Sequence, residues 1–235
     1  MPRPLRPIAP ALIYHIINRG NNRQRVFYDE SDFQAFLKAM LDLKTRRPFD
    51  LFGYCLMSNH FHLLLKPRQD SISRIMQSLL ASHTQRYHKY HSSGGHVWQG
   101  RYKSPVVQDD EHLLVVLRYI EANPLRGKLV KRAGGYRWSS FAAHGLGQQD
   151  ELLSPCVPYQ QLSPYPAVRQ RRWNAYVHQS SDARELAAIR HSAERSLPYG
   201  QTAWVDRLAK KLNLDLTIRP RGRPKKETSQ ASEGG

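Results

Sequence analysis

Residues 54–66 read YCLMSNHFHLLLK, and within them His60 and His62 are separated by a single residue. Alternate side chains of a β-strand point to the same face, so the two imidazoles project together. Phe61 and Leu63 fall on the opposite face, where they can join a hydrophobic core. The two histidines are therefore available as nitrogen ligands, and together they make half of a metal site.

Strands and helices alternate around this stretch. The periodicity predicts, in order, a strand over residues 11–18, a helix from a capping box at Ser31 to Pro48, a strand pair over residues 49–66, a helix over residues 71–90 and a short strand over residues 103–108. This order is typical of a ferredoxin-like fold, an α+β architecture in which helices cover one face of an antiparallel sheet. The other face is expected to stay free for a ligand.

A further helix is predicted from Asp110 to about Ala122, with Pro124 ending it. It carries Tyr119 and Asn123, whose separation of four residues puts both on one helical face. They flank the apolar stripe of the helix instead of filling it. Both side chains are therefore candidates for a site beside the sheet.

The composition indicates a polyanionic partner. The chain has 36 Lys and Arg against 19 Asp and Glu, a formal net charge of +17 that is spread along its length. Aromatic and basic residues are interleaved in residues 86–90 and 98–103, a pattern that suits stacked bases and neutralised phosphates. Nucleic acid is the predicted partner, while an acidic protein or an anionic membrane surface would also match the charge alone.

Other classes of protein are disfavoured. No run approaches 18 apolar residues, and residues 1–10 contain four prolines without the apolar block of a signal peptide, so we expect a cytoplasmic protein. Cys55 and Cys156 form neither a Cys-x-x-Cys pair nor a disulfide framework. Any metal ion must therefore be held by nitrogen and oxygen ligands.

These residue types suggest a specific chemistry. A carboxamide oxygen from Asn123 would complete a set of two nitrogens and one oxygen with His60 and His62, which suits Mn²⁺ or Mg²⁺ better than structural zinc. The phenolate of Tyr119 would be a competent nucleophile toward a phosphodiester whose charge a metal ion has partly neutralised. The product would be a phosphotyrosine joined to one DNA end, which permits strand transfer.

Beyond residue 145 the pattern changes. A proline-rich passage is followed by short predicted helices over residues 168–177, 182–192 and 202–212. We therefore expect a catalytic domain over residues 1–145, a helical module over residues 146–218 and a basic, disordered tail over residues 219–235.

The tail contains the sequence RGRP, in which Arg221 and Arg223 match the core of an AT-hook. The arginines of such a hook enter a narrow minor groove of DNA. Five positive charges stand between Arg219 and Lys226, however, so nonspecific phosphate binding explains the segment equally well.

Five segments resemble the single-tyrosine HUH transposases, and specifically the REP-associated tyrosine transposases, in the order found in that family. They are YHIINRG at residues 14–20, MSNHFHLL at 57–64, WQGRYK at 98–103, YIEANP at 119–124 and YRWSS at 136–140. The likeness covers roughly residues 8–145. A His-x-His pair alone would be a weak signal, whereas five ordered segments are a specific one.

The resemblance implies a ferredoxin-like HUH endonuclease domain in which His60 and His62 bind Mg²⁺ or Mn²⁺, Asn123 assists and Tyr119 attacks single-stranded DNA. Insertion-sequence relatives carry Gln at the position of Asn123, and the shorter amide supplies the same oxygen with less reach. The family cleaves at or beside REP elements, palindromes that fold as hairpins, and leaves a 5′-phosphotyrosine and a free 3′-OH. A bacterial, nucleoid-associated protein is implied, and the added C-terminal module favours a monomer.

Side chains outside the metal site are candidates for DNA binding. They are Arg19, Asn21, Arg86, Lys89, Trp98, Arg101, Tyr102 and Lys103, together with Arg221 and Arg223 in the tail. The alternative for residues 98–103 is a packed aromatic loop, and a turn explains Asn21 equally well.

Three competing functions remain open from sequence. A REP-hairpin-binding regulator would keep the fold with weak or no catalysis, and a nuclease would use water in place of tyrosine. An RNA-binding ferredoxin-like module would stack bases on its aromatic residues. That last function would not need two histidines and a tyrosine around one site.

Overall fold

The computed structural model describes residues 11–214, so the predicted minor-groove arginines Arg221 and Arg223 lie outside the described residues. Within this range four strands form one antiparallel sheet in the order β2-β3-β1-β4. The strands are β1 (Ile13–Arg19), β2 (Phe49–Met57), β3 (His60–Pro67) and β4 (Val106–Val107). This order confirms the predicted ferredoxin-like α+β fold.

Two long helices connect the strands, and further helices follow the sheet. The connecting helices are α1 (Glu30–Arg46) and α2 (Ile72–His91), and the later ones are α3 (Glu111–Glu121), α4 (Asn123–Arg126), α5 (Phe141–Leu146), α6 (Val157–Gln160), α7 (Pro166–His178), α8 (Ala183–Arg195) and α9 (Thr202–Leu212). The predicted start of α1 is corrected slightly, because Asp29 is its N-cap and accepts hydrogen bonds from the N–H groups of Ser31 and Asp32. Helices α7 to α9 confirm the three predicted C-terminal helices.

The first face of the sheet packs against α1 and α2. Phe61 and Leu63 of β3 are fully buried there, in one cluster with Phe36 of α1 and Ile75 of α2. The side chains of β3 therefore alternate as predicted, and His60 and His62 must face the other side of the sheet.

The second face is not free along its length, which corrects the expectation from sequence. Helix α3 covers its centre, where Cys55 and Leu64 of the sheet join Leu113 and Leu117 of the helix in a second buried cluster. Gly53 permits this close approach, because any side chain at that position would overlap Leu117. The apolar side chains on this face require a cover, whereas the end of the sheet that carries the histidines borders a cavity.

The C-terminal helices extend this second core. Trp173 of α7 is completely buried and belongs to the same cluster as Leu113 of α3 and Phe141 of α5. Residues on both sides of the predicted boundary near residue 145 thus share one core. The division into two domains stays a prediction. Among residues 11–214, no helix has the length and apolar character needed to cross a membrane.

The end of α3 is fixed by a buried carboxylate. Glu121 has no solvent exposure, and its Oε1 accepts hydrogen bonds from Ser140 Oγ at 2.5 Å and from His144 Nδ1 at 2.7 Å. Its Oε2 accepts a bond from Trp173 Nε1 at 2.7 Å. Three donors, two from α5 and its N-cap and one from α7, thus converge on one side chain, and this fixes where the last turn of α3 lies.

Replacing Glu121 by leucine should lower the free energy of unfolding by about 3 kcal/mol, because it leaves buried donors and a buried histidine without their acceptor. Urea denaturation followed by circular dichroism measures the change. Glu111→Leu, at an exposed position in the first turn of the same helix, should change the value by less than about 0.5 kcal/mol. Equal urea midpoints for the two variants would contradict this role of Glu121.

Candidate active site

A cavity of about 510 Å³ lies where β1 ends and β3 begins. Its wall includes His60 and His62 of β3, Tyr119 of α3 and Asn123 at the start of α4. The structure therefore brings together the four residues that sequence predicts as metal ligands and nucleophile. Their chemical roles stay predictions.

The sheet register explains how the two histidines reach the cavity. His62 is paired with Ile17 and His60 with Arg19, and the intervening Phe61 points into the core beneath α1 and α2. The ring centroids of His60 and His62 are 5.2 Å apart. Both imidazoles thus face the same space, as the alternation of a strand requires.

A third histidine, His15 of β1, contacts His62 and is absent from the predicted site. His15 Nε2 lies 2.9 Å from His62 Nδ1, and their rings are stacked at 5.2 Å. Burial, together with the nearby charge of Arg126, lowers the pKa of His15 to about 3. Since the bond engages Nδ1 of His62, the Nε2 atom of His62 is left as the nitrogen able to bind a metal ion.

His60 is oriented in a similar way. Its Nδ1 lies 2.6 Å from Asn59 Oδ1, and the Asn123 side chain is within hydrogen-bonding reach of its ring. Burial is the main cause that lowers the pKa of His60 to about 4, and it holds the pKa of His62 well below the usual value. Both imidazoles are therefore neutral near pH 7, as metal ligation requires.

The connection between Tyr119 and Asn123 differs from the prediction of one continuous helix. Helix α3 ends at Glu121, and Asn123 begins the separate helix α4, with Pro124 in its first turn. Proline is tolerated there because its missing N–H would have no partner within the helix. Tyr119 and Asn123 nevertheless line the same cavity.

Two histidine rings and one guanidinium group lie close to the Tyr119 ring. Its centroid is 5.8 Å from that of His15 and 5.7 Å from that of His62, both edge to face. The guanidinium carbon of Arg126 lies 4.1 Å from the same ring centroid. The Tyr119 side chain is partly exposed and lines the cavity.

Basic side chains dominate the cavity wall. Of the predicted DNA-binding residues, Arg19, Arg101 and Lys103 lie here, and Arg190 and Glu194 are contributed by α8. The α8 residues are absent from the predicted site, since nothing in the sequence indicates which way that helix packs. The excess of positive charge suits the phosphates of a nucleic acid.

The remaining candidates lie elsewhere. Trp98 and Tyr102 are buried, and Trp98 packs against Phe61 and His83, so neither ring offers a face for a base. This favours the packed-loop alternative, and a role of Trp98 and Tyr102 in DNA binding stays a prediction. Asn21 is held in a turn, where its N–H donates to the Val97 carbonyl.

Arg86 and Lys89 lie on α2, on the side of the sheet away from the cavity. The Arg86 guanidinium lies over the Tyr90 ring at 3.9 Å and donates to Ser31 Oγ, whereas Lys89 is exposed. Their role in DNA binding stays a prediction that would need a second contact surface.

A different group of potential metal ligands stands at the start of α3. The donor atoms of Asp110, Glu111 and His112 lie within 4.8 Å of one another. Asp110 is the N-cap of this helix and accepts bonds from both the N–H and the ring of His112, so capping already explains the arrangement. These three residues are separate from the cavity that Tyr119 lines.

Comparison with known proteins identifies similar sequences and folds. Residues 9–123 match the family model described as "Transposase IS200 like". A "Putative REP-associated tyrosine transposase" of Haemophilus influenzae strain Rd is 29% identical over 107 residues, covering 40% of this chain and 60% of that relative. The chain thus spans less than two thirds of that relative's length. The family resemblance predicted from the five segments is confirmed.

One solved structure shares the architecture. A REP-associated tyrosine transposase bound to a REP hairpin has a TM-score of 0.50 and 17% identity, covering 66% of this chain and 90% of that chain. At this identity the match concerns the fold alone. A transposase-like protein of Deinococcus radiodurans R1 has a TM-score of 0.36 and 20% identity, covering 52% and 87% of the two chains.

Proposed function

We propose, since residues 9–123 match the model of the IS200-like transposase family, that the chain is a metal-dependent transposase that cleaves and transfers single-stranded DNA through Tyr119. The observation that supports this proposal most directly is the convergence of Tyr119, His60, His62 and Asn123 on one basic cavity. Tyr119 is partly buried and also packs against the apolar cluster on this face of the sheet.

His60, His62 and Asn123 fit a Mg²⁺ or Mn²⁺ ion by the chemistry of their donor atoms. Two neutral imidazoles and a carboxamide oxygen face one space, and each imidazole has one nitrogen already engaged by Asn59 or His15. Such outer partners fix the tautomer and the direction of a metal-binding ring. When bound, the cation would neutralise charge on a phosphodiester.

Tyr119 would supply the nucleophile. As its phenol oxygen bonds to phosphorus, the bond from phosphorus to the 3′-oxygen breaks, the phenol proton passes to solvent and the 3′-oxygen takes up a proton. The products are a 5′-phosphotyrosine and a free 3′-OH. Because one phosphodiester replaces another, the covalent intermediate can react with a second 3′-OH and complete strand transfer.

We also propose that the substrate carries a REP-type hairpin, since a relative of the same fold is bound to one. Arg19, Arg101 and Lys103 in the cavity wall would contact phosphates beside the scissile bond. Arg86 and Lys89 on α2 and the arginines of the tail would contribute outside the cavity. Helices α3, α5 and α7 bury the second sheet face within one chain, which supports a monomer.

The test uses the full chain, manganese and a labelled single-stranded oligonucleotide that combines a REP-type hairpin with its flank. The proposal predicts a labelled species that survives denaturing electrophoresis and disappears after protease treatment. Hairpin binding without any adduct would identify a binding-only regulator instead. Cleavage without an adduct would indicate a nuclease that uses water.

Replacing His15 by alanine should weaken manganese binding about 10- to 100-fold, because His62 loses the partner that fixes its ring. Titration of the protein with manganese, followed by electron paramagnetic resonance, measures this affinity. His96→Ala, at an exposed position outside the cavity, should bind manganese as the unaltered chain does. Unchanged affinity in His15→Ala would show that the contact between the two histidines does not support metal binding.

A further inference from the structure

Arg126 of α4 is held beside the proposed nucleophile by two contacts. Its Nη2 donates a hydrogen bond of 2.5 Å to the Tyr119 carbonyl oxygen, and its guanidinium carbon lies 4.1 Å from the centroid of the Tyr119 ring. The same side chain lines the cavity together with His60 and His62. Its position is therefore defined relative to the reacting oxygen and to the proposed metal ligands.

One nitrogen of this guanidinium has no acceptor. Arg126 Nη1 is buried and has no hydrogen-bond partner among residues 11–214. Within the same described range no carboxylate forms an ion pair with Arg126, although Glu194 lines the cavity. A half-buried cation with a buried, unpaired N–H group is unfavourable unless an anion compensates its charge.

The electrostatic surroundings agree with this view. Burial lowers the pKa of Arg126, and Arg190 lowers it further, whereas Tyr119 opposes the change. An arginine remains charged under these conditions. Arg19 and Arg101, in contrast, are exposed, so water screens their charges more effectively.

We propose that Arg126 is a catalytic residue whose guanidinium group binds a non-bridging oxygen of the scissile phosphate and compensates the charge that develops as Tyr119 attacks. The inference rests on the proposed transferase function. A preorganised donor directed at developing charge acts most strongly in the transition state. The hydrogen bond from Nη2 to the Tyr119 backbone fixes the guanidinium plane, so that donor and nucleophile keep a constant relation.

The test is the single-turnover rate of adduct formation with saturating manganese and saturating hairpin oligonucleotide. Arg126→Ala should slow the reaction about 10²- to 10³-fold, with hairpin affinity changed much less. Arg126→Lys should recover only part of the rate, because an ammonium group cannot reproduce the planar fork. Arg132→Ala, at an exposed position outside the cavity, should react at the rate of the unaltered chain.

Chemical rescue separates catalysis from packing. Millimolar guanidinium chloride should restore part of the rate of Arg126→Ala and should not accelerate Arg132→Ala. A slow Arg126→Ala variant that guanidinium does not rescue would show that the side chain only holds the Tyr119 ring. Full activity of Arg126→Ala would also overturn the inference.

Two further results keep the test decisive. If Arg126→Ala does not fold, as judged by circular dichroism, then Arg126→Gln replaces it, because glutamine keeps a longer side chain and an N–H donor without the charge. The Gln variant should be slowed about 10²-fold, and full activity would contradict the proposal. Absence of an adduct in the unaltered chain would instead refute the transferase function itself.

Discussion

Replacing Tyr119 by phenylalanine should abolish the covalent protein–DNA adduct while leaving hairpin binding close to that of the unaltered chain. The substitution removes only the phenol oxygen, so the contacts of the ring with His15, His62 and Arg126 can persist. Removal of an essential nucleophile lowers a rate by about 10⁴-fold or more. Single-turnover adduct formation and a hairpin-binding titration, carried out on the same preparation, measure the two effects.

Tyr165→Phe provides the matched control, since Tyr165 is 70% exposed and lies before α7, outside the cavity. Its rate of adduct formation should equal that of the unaltered chain. Cleavage that continues in Tyr119→Phe without an adduct would show that water is the nucleophile. An adduct that persists there would identify another nucleophilic side chain.

Much of the candidate site could be predicted because it depends on local geometry. The direction of His60 and His62 follows from the two-residue period of a strand, which holds wherever the strand lies in the sheet. Predicting Tyr119 and Asn123 as site residues also required the family resemblance, because helical periodicity does not show which part of the protein a helical face contacts. The break between α3 and α4 did not separate them from the cavity.

The missing residues depend on contacts between distant segments. His15 meets His62 because β1 lies next to β3, and a sequence gives the order of strands only through recognition of the whole fold. Arg126 and Arg190 reach the cavity through the packing of α4 and α8. Their charges are visible in sequence, but many other arginines have the same local surroundings.

The cover on the second sheet face was missed for a related reason. The alternation of strands and helices specifies the two helices that connect strands, and both pack as predicted. Helix α3 follows the last strand, so the pattern does not determine where it packs. The apolar residues Leu113 and Leu117 of this helix had to be buried somewhere. The structure shows that they pack on the sheet, where Gly53 leaves space for them.

Replacing either His60 or His62 by glutamine should weaken manganese binding by more than about 100-fold, because a direct ligand matters more than the outer partner that His15 provides. Adduct formation should fall in parallel, since the charge of the phosphodiester would no longer be neutralised. Hairpin binding should persist, as it should after chelation of the metal. Electron paramagnetic resonance titration and the adduct assay measure both effects on each variant.

The decisive comparison is with His112→Gln, because His112 belongs to the other group of potential ligands, with Asp110 and Glu111. If the cavity holds the metal, His112→Gln should bind manganese normally and form the adduct, and His96→Gln at an exposed position should do the same. Loss of manganese binding in His112→Gln, with normal binding in His60→Gln and His62→Gln, would show that the metal binds at the start of α3. The neutral imidazoles and their fixed outer partners favour the cavity, since capping already engages the side chains of Asp110 and His112.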